Sequence, residues 1–310
     1  MSATVSTDDV YQLTGTFMGV PAGRDLSGSK AAVLGVPYDM GTHPNRIGSR
    51  QGPDAIRAQS GLIRPFVPDI DFNPLERLGL VDCGNVRLVA SRIEDAHARI
   101  ERAMAPLVEA GVTPVTMGGD GTVSLPQLRA LHAAHPWIAL LHFDAHTDSF
   151  PGEGIERYNT STTFTRAREE GLIDPASSIH IGIRGTTYLP GAIDMAREQG
   201  FEVISLDDMF EMGLDRLLAH LHERLAGKPV YLCWDMDFFD PSVAPGVCAP
   251  AWGGVTAREG LYLLRRLAGL RFIAFDVNTV SPPHDVGGMT AMLAARVMYE
   301  CLLLTCRRPR

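Results

Sequence analysis

The sequence predicts an α/β protein in which a mostly parallel sheet is covered by helices on both faces. Short apolar runs of strand length alternate along the chain with amphipathic stretches of helical period, and this alternation favours parallel strands joined by helices. Polar clusters follow directly after several of the apolar runs. Because the sites of open α/β sheets lie at the carboxyl ends of strands, the position of these clusters supports the same fold class.

The predicted elements follow from apolar spacing and from helix-start signals. The first helix begins at Gly52, with Pro53 in its first turn, where proline is well tolerated. The stretch 91–110 has apolar residues at helical spacing from Ile93 to Leu107. We predict strands at 31–36, 77–82, 112–117, 138–143, 178–183, 202–206, 230–234 and 272–275, and further helices at 125–135, 191–199, 207–226, 256–269 and 288–304.

Length and charge limit the organisation and the partners. The 310 residues suffice for one large α/β domain or two small ones. No composition break, repeat or low-complexity segment marks a linker, so we predict one domain over 1–310 with an N-terminal extension over 1–25. A net charge of −8 argues against a nucleic-acid partner. The basic C-terminus, Arg307 to Arg310, is interpreted as a solvated tail.

Cysteine usage and hydropathy indicate the compartment. The five cysteines are odd in number, irregularly spaced and without a Cys-x-x-Cys pair, which is typical of reduced thiols in a cytosol. No basic segment followed by an apolar stretch opens the chain. No apolar run reaches the roughly 18 residues of a membrane span. The sequence therefore predicts a cytoplasmic protein that does not insert in a membrane.

Two acidic clusters carry the chemistry. Asp144, His146 and Asp148 follow the strand predicted at 138–143, and Asp235 and Asp237 follow the strand at 230–234. Alternate side chains of an extended segment share a face, so each cluster converges on one point. A divalent cation is the usual remedy for gathered, buried carboxylates, and Mn²⁺, Ni²⁺ or Zn²⁺ accept such a mixture of oxygen and imidazole ligands.

Neighbouring polar residues have plainer interpretations. Asp-x-Asp alone usually marks a solvated turn. Asp120 is expected to cap the helix that follows it. Gly118-Gly119 is expected to form a tight turn and not a phosphate loop, because no lysine follows at the required spacing. His142 alternates with Asp144 within its strand and is expected in the core or behind the ligands.

The motifs resemble those of the ureohydrolases, the family of arginase, agmatinase and guanidino-acid hydrolases. The segments 144–148 and 235–246 are similar to the two family signatures. Met117 to Thr122 resembles its Gly-Gly-Asp-His-Ser motif, and Phe275 to Pro283 its Phe-Asp-Val-x-Glu-x-x-Pro segment. The resemblance implies an arginase-like, three-layer α/β/α fold and trimers or hexamers. It also implies a dinuclear Mn²⁺ or Ni²⁺ centre that activates water to attack a guanidinium carbon and release urea.

Three positions depart from the family pattern. The histidine of Gly-Gly-Asp-His, a metal ligand, is Gly121 here; the histidine of the His-Gly-Thr-x-Phe motif is Thr160; and the glutamate that grips the guanidinium is Thr279. The resemblance then leaves one metal with Asp144, His146, Asp235 and Asp237, and a second with Asp144, Asp148 and Asp235. We expect the second to be weakly held or absent. His284, just past the altered glutamate segment, is a candidate substitute ligand or base.

Three functions are compatible with this pattern. The first is a catalytically degenerate subunit that supports an active paralogue, as the heteromeric metformin hydrolases combine two ureohydrolase-type chains. The second is an active metal-dependent amidinohydrolase, of the agmatinase or guanidino-acid hydrolase type, with a rebuilt site. The third is a homo-oligomeric binding or regulatory protein that kept only the scaffold.

Overall fold

The architecture is a single large sheet between two layers of helices. The computed structural model describes residues 11–12, 15–40, 45–152, 154 and 157–307. Within these residues the strands are β1 (Tyr11–Gln12), β2 (Ala31–Val36), β3 (Val81–Val86), β4 (Thr113–Gly118), β5 (Ala139–Phe143), β6 (Ile179–Ile183), β7 (Glu202–Ser205), β8 (Val230–Asp235) and β9 (Phe272–Asn278). They are ordered β1-β3-β2-β4-β9-β8-β5-β6-β7. Only the short edge strand β1 pairs antiparallel; the other eight strands are parallel.

Helices cover both faces of this sheet. They are α1 (Gly52–Ser60), α2 (Pro74–Leu78), α3 (Ile93–Glu109), α4 (Ser124–His132), α5 (Thr163–Glu169), α6 (Ala192–Glu198), α7 (Leu206–Met212), α8 (Leu214–Leu225), α9 (Ala257–Arg266) and α10 (Met289–Cys306). Alternate residues of each strand enter different cores. In β5, Leu141 packs in the core that contains α8, α9 and α10, whereas Leu140 packs in the core that contains α3 and α4. The predicted three-layer α/β/α class is confirmed.

Two predicted elements were wrong in detail. The strand predicted at 77–82 lies at Val81–Val86, and the short helix α2 occupies the residues before it. Asn73 caps that helix, Pro74 begins it, and Gly79 ends it in a left-handed conformation with φ 55°. The helix predicted at 207–226 is two helices, because Gly213, at φ 83° and ψ 145°, interrupts the helical path.

One helix is apolar enough to resemble a membrane span. Among the described residues, α10 has the length and hydropathy for a span, and 72% of it is buried inside the fold. Ala291, Ala294, Ala295 and Met298 pack in the same core as residues of α8 and α9. This helix is therefore part of the covering layer of the sheet.

Strand register brings the acidic clusters together. In the middle of the sheet, β8 lies between β5 and β9, and Phe143 pairs with Trp234 while Asp235 pairs with Asn278. The residues that follow these pairs leave the sheet at the same edge. Asp144, Asp237 and Thr279 therefore meet at the carboxyl ends of three adjacent parallel strands, as the rule for open α/β sheets predicts.

Candidate metal centre

The turn after β5 aims its polar side chains at one point. Asp144 Oδ1 accepts a hydrogen bond from the backbone N–H of His146 at 2.6 Å, which closes the turn. Asp237 Oδ1 accepts from the backbone N–H of Ala145 at 3.0 Å and ties the β8 end to this turn. Asp148 has a left-handed backbone with φ 47°, uncommon for a residue other than glycine. Such a conformation is a feature of functional sites, where the surrounding structure maintains it.

His146 lies between two carboxylates. Its Nδ1 is 3.2 Å from Asp144 Oδ1 and 3.2 Å from Asp237 Oδ2. Ligand atoms of these three residues all lie within 4.8 Å of one another. The two aspartates are buried, and the histidine is 26% exposed towards a cavity. The structure thus brings together three of the five predicted ligands as one potential cation site.

The other two predicted ligands are placed differently. Asp148 lies in a second group with Asp144 and His142, whose ligand atoms are again within 4.8 Å of one another. Asp235 belongs to neither group. Its carboxylate accepts hydrogen bonds from the hydroxyl of Thr279 and from the backbone N–H of Asp237, the latter at 2.7 Å. The bond from Thr279 occupies an oxygen that the sequence assigned to metal binding.

The electrostatics of the cluster call for a cation. Burial and the neighbouring carboxylates raise the pKa of Asp148 and of Asp235 well above the usual aspartate range. Burial and Asp144 likewise raise the pKa of Asp237. Burial would also raise the pKa of Asp144, but His142 and His146 outweigh it and lower that pKa. The donor set of carboxylate and imidazole, concentrated in one buried place, fits a divalent transition-metal ion.

A cavity opens onto this cluster. It has a volume of about 410 Å³ and is lined by the predicted ligands Asp144, His146, Asp148, Asp235 and Asp237. Thr160 and Thr279 also line it. Arg46 lines it too, with Nε 3.0 Å from the Val247 carbonyl oxygen. The sequence reasoning missed Arg46, since no motif marks a lone arginine.

Of the three positions that depart from the family motifs, Thr160 and Thr279 line this cavity, and Gly121 lies next to two of its lining residues. A Cβ added at Gly121 would lie 2.7 Å from Thr160 Cγ2 and 3.0 Å from Asp148 Oδ2. A side chain at 121 would therefore point at Asp148, and the Thr160 methyl group occupies part of its room. The Thr160 hydroxyl lies 3.4 Å from that of Thr122. Thr279 has a left-handed backbone with φ 67°.

Other sequence predictions are placed as follows. Asp120 caps the short 3-10 helix after it, accepting from the N–H of Thr122 at 3.1 Å, as predicted. A Cβ at Gly119 would lie 1.6 Å from the carbonyl oxygen of Tyr38, so the glycine permits a close approach of two backbones. His284 is not among the residues that line the cavity; its Nδ1 is 2.8 Å from Ser281 Oγ.

His142 lies in the core directly behind Asp144, in agreement with the sequence analysis. Its Nε2 is 2.9 Å from Asp144 Oδ2, and both side chains are 1% exposed. The signal was its spacing, because the residue two before Asp144 in a strand lies on the same face. The sequence could not give its other partner, His180 of β6, whose Nδ1 is 2.8 Å from His142 Nδ1.

Comparison with known proteins gives the family. The sequence model of the arginase family matches residues 29–304. Guanidinopropionase of Pseudomonas aeruginosa is 39% identical over 290 residues, 93% of this chain and 91% of that protein. The chain belongs to the arginase family. Its members are ureohydrolases, and the family is binuclear and manganese-dependent.

Solved structures agree with this assignment. Proclavaminate amidinohydrolase of Streptomyces clavuligerus is 36% identical, and its structure aligns with a TM-score of 0.91 over 96% of this chain and 98% of that chain. The structure of a hypothetical agmatinase from Burkholderia thailandensis, 32% identical, aligns with a TM-score of 0.85 over 95% of this chain and 91% of that chain. The predicted arginase-like fold is confirmed.

The stability of the metal-free protein should fall with rising pH because of Asp120. Burial raises the pKa of Asp120 from 3.8 to about 6. A raised pKa in the folded state means that its contribution is complete below about pH 4 and is lost as the pH rises through 6. The penalty at pH 7 is about 3 kcal/mol. Urea unfolding of chelator-treated protein between pH 4 and 7 should show this loss relative to Asp120→Asn; parallel pH profiles would contradict it.

Positions 121 and 160 should be energetically coupled. Gly121→Ala places a methyl group against Thr160 Cγ2, and such overpacking costs roughly 1–3 kcal/mol. Thr160→Ser removes the interfering methyl group and keeps the hydroxyl, so the double variant should recover most of that loss. Urea unfolding of the two single variants and the double variant measures the coupling. Strict additivity would mean that the two positions do not compete for space.

Proposed function

We propose that this chain is a ureohydrolase-family subunit whose metal and guanidinium site is degraded, and that it supports an active paralogue. The paralogue would hydrolyse a small, metformin-like guanidine compound to urea and an amine. The observation that carries the proposal is that Thr160 and Thr279 line the cavity at the carboxylate cluster and that Gly121 lies beside Thr160 and Asp148 of its lining. Three separate segments lack, in one place, the ionisable side chains of the family motifs.

Thr279 removes the means of gripping a guanidinium group. Recognition of guanidinium uses a charge-assisted, commonly bidentate contact with a carboxylate. The Thr279 hydroxyl is neutral, and it donates to Asp235. The backbone N–H of Met236 in turn lies 3.3 Å from Thr279 Oγ1. The hydroxyl of Thr279 is therefore hydrogen-bonded within the protein and is not available to bind a ligand.

Thr160 removes a group that could move a proton. A hydroxyl of this kind does not titrate near neutral pH, and it lies 3.4 Å from the hydroxyl of Thr122. When bound, a divalent cation supplies Lewis acidity and lowers the pKa of a water ligand. Asp144, His146 and Asp237 would hold such an ion, Ni²⁺ or Mn²⁺. Metal binding alone does not restore substrate capture or proton transfer at these two threonines.

A supporting role requires a partner of the same fold. The chain keeps the scaffold and a cavity at the carboxylate cluster, although positions 121, 160 and 279 lack the ionisable side chains of the family motifs. We propose assembly with the active paralogue, with itself, or with both, as a trimer or hexamer in the cytoplasm. Neither a nucleic acid nor a membrane is part of this proposal.

A second candidate is an active amidinohydrolase with a rebuilt site. It is favoured by the intact group of Asp144, His146 and Asp237, with both contacts to His146 at 3.2 Å. The names of the relatives, guanidinopropionase and proclavaminate amidinohydrolase, are also those of enzymes that act on guanidino or amidino compounds. Its substrate would depend less on a carboxylate at position 279.

Urea release separates the two candidates. The chain is expressed alone and together with an intact paralogue, and urea is measured with metformin, guanidinopropionate, guanidinobutyrate and agmatine. We expect turnover only in the mixed assembly, because the isolated chain lacks the guanidinium grip. Replacing the paralogue's own metal-binding aspartate should abolish that turnover.

Activity of the isolated chain would contradict the proposal. Urea release by the isolated chain, lost in Asp237→Ala, would establish the second candidate and reject the supporting role. Preparations are matched for oligomeric state and for folding by circular dichroism, so that lost activity is not mistaken for lost structure.

A further inference from the structure

Arg184 lies between the two turns that carry the predicted ligands. It follows β6, the strand next to β5 in the sheet, and it is partly buried. Its backbone N–H donates to the carbonyl oxygen of Ala145, in the turn after β5, at 2.9 Å. Its side chain extends to the turn after β8, where Nη2 donates to the carbonyl oxygen of Asp237 at 2.6 Å. A single residue therefore contacts both turns of the potential cation site.

The guanidinium group of Arg184 binds backbone carbonyl oxygens. Besides Asp237, its Nη2 lies 3.2 Å from the carbonyl oxygen of Phe239 and 2.9 Å from that of Ala251. Nη1 lies 3.3 Å from the carbonyl oxygen of Gly182, and Nε lies 3.3 Å from that of Ala251. The ion pairs within 4 Å of the part of the chain that the structure describes do not include Arg184. Its contacts consequently fix backbone and do not neutralise a carboxylate.

The position of the Asp237 carboxylate depends on these contacts. Arg184 binds the carbonyl oxygen of Asp237 and, through its own N–H, that of Ala145. The N–H of Ala145 in turn donates to Asp237 Oδ1 at 3.0 Å. The three residues thus form a closed ring of hydrogen bonds. Because the other oxygen of the same carboxylate, Oδ2, lies 3.2 Å from His146 Nδ1, this ring sets the separation of two potential ligands.

The space around the guanidinium group suits a planar side chain. A Cβ at Gly254 would lie 2.5 Å from Arg184 Nη2, and a Cβ at Gly185 would lie 3.1 Å from the Cβ of Ala251. Arginine presents its N–H donors in a rigid, flat fork, whereas the ammonium group of lysine is a compact point charge on a flexible stem. A lysine at this position could keep the charge, but it could not reach the same carbonyl oxygens together.

We propose that Arg184 is a positioning residue. It holds the turn of Asp237 against the turn of Ala145 and His146, and it thereby sets the geometry of the ligand group Asp144, His146 and Asp237. It acts through the backbone of Asp237 and not through the carboxylate. The inference does not depend on the proposed function, because the ring of hydrogen bonds is the same in a supporting subunit and in an active enzyme.

Hydrogen exchange of the metal-free, full-length chain tests the ring. Arg184→Lys keeps the positive charge and loses the fork. Arg224→Lys is the matched control, because Arg224 Nη2 donates to the carbonyl oxygen of Ala176 at 2.7 Å, before the opposite end of β6. Mass spectrometry with fragmentation to single residues should show the Ala145 amide exchanging roughly 10-fold faster in Arg184→Lys, as expected for the loss of about one hydrogen bond. The control should match wild type. A general loss of stability would also speed exchange at Leu141 in β5, which we expect to stay unchanged.

The affinity for Mn²⁺ connects the ring to the ligand group. Chelator-treated protein is titrated with Mn²⁺, and the free ion is measured by electron paramagnetic resonance under conditions in which circular dichroism shows every variant to be folded. Arg184→Lys should bind roughly 10–100-fold more weakly, the usual effect of residues that act behind a ligand, and Arg224→Lys should bind as wild type does. The proposal is overturned if wild type binds no Mn²⁺, if Arg184→Lys binds it with wild-type affinity, or if exchange at Ala145 is unchanged in that variant.

A measurement on the wild-type chain covers the case in which Arg184→Lys does not fold. Native-state hydrogen exchange in low urea gives the free energy at which each amide opens. The amides of Ala145, Arg184 and Asp237 should open together with one value, because the ring joins their segments. Separate values for Arg184 and Asp237 would overturn the proposal. None of these measurements uses urea release, so failure here is distinct from failure of the proposed function.

Discussion

Repulsion among buried carboxylates is the constraint on which the rest of this site depends. Asp144, Asp148, Asp235 and Asp237 are all at least 94% buried at one edge of the sheet. Parallel pairing of β5, β8 and β9 makes this proximity unavoidable, because each strand delivers its next residues to the same edge. Each carboxylate therefore needs a hydrogen-bond donor, an imidazole or a metal ion beside it. The four aspartates differ in which of these partners they have.

The partners divide the cluster into distinct parts. Asp144 and Asp237 share His146, and this imidazole gives them a positive or metal-binding partner. Asp235 is satisfied by hydrogen bonds from Thr279 and from the backbone of Asp237. A threonine in place of a carboxylate at 279 thus lowers the negative charge of the site and supplies a donor to one of its members.

The sequence predicted features that depend on local residue patterns, such as strands and helices. It did not predict contacts between segments that are distant in the chain. Apolar runs predicted the strands, with β3 displaced by four residues, and the spacing of Asp144, His146 and Asp148 indicated that their side chains gather after β5. The offset of β3 escaped prediction because the apolar residues at 78 and 80 belong to the end of α2 and the turn after it. The bond from Thr279 to Asp235 could not be read from sequence, since it joins side chains 44 positions apart and depends on strand register.

The residues at positions 121, 160 and 279 fit their surroundings closely. The methyl group of Thr160 lies where a side chain at 121 would begin, and Thr279 keeps a left-handed backbone, at φ 67°, while its hydroxyl satisfies Asp235. A threonine in that conformation is strained and persists only where its surroundings maintain it. These contacts fix the wall of the cavity beside the carboxylate cluster, at the carboxyl ends of the central strands.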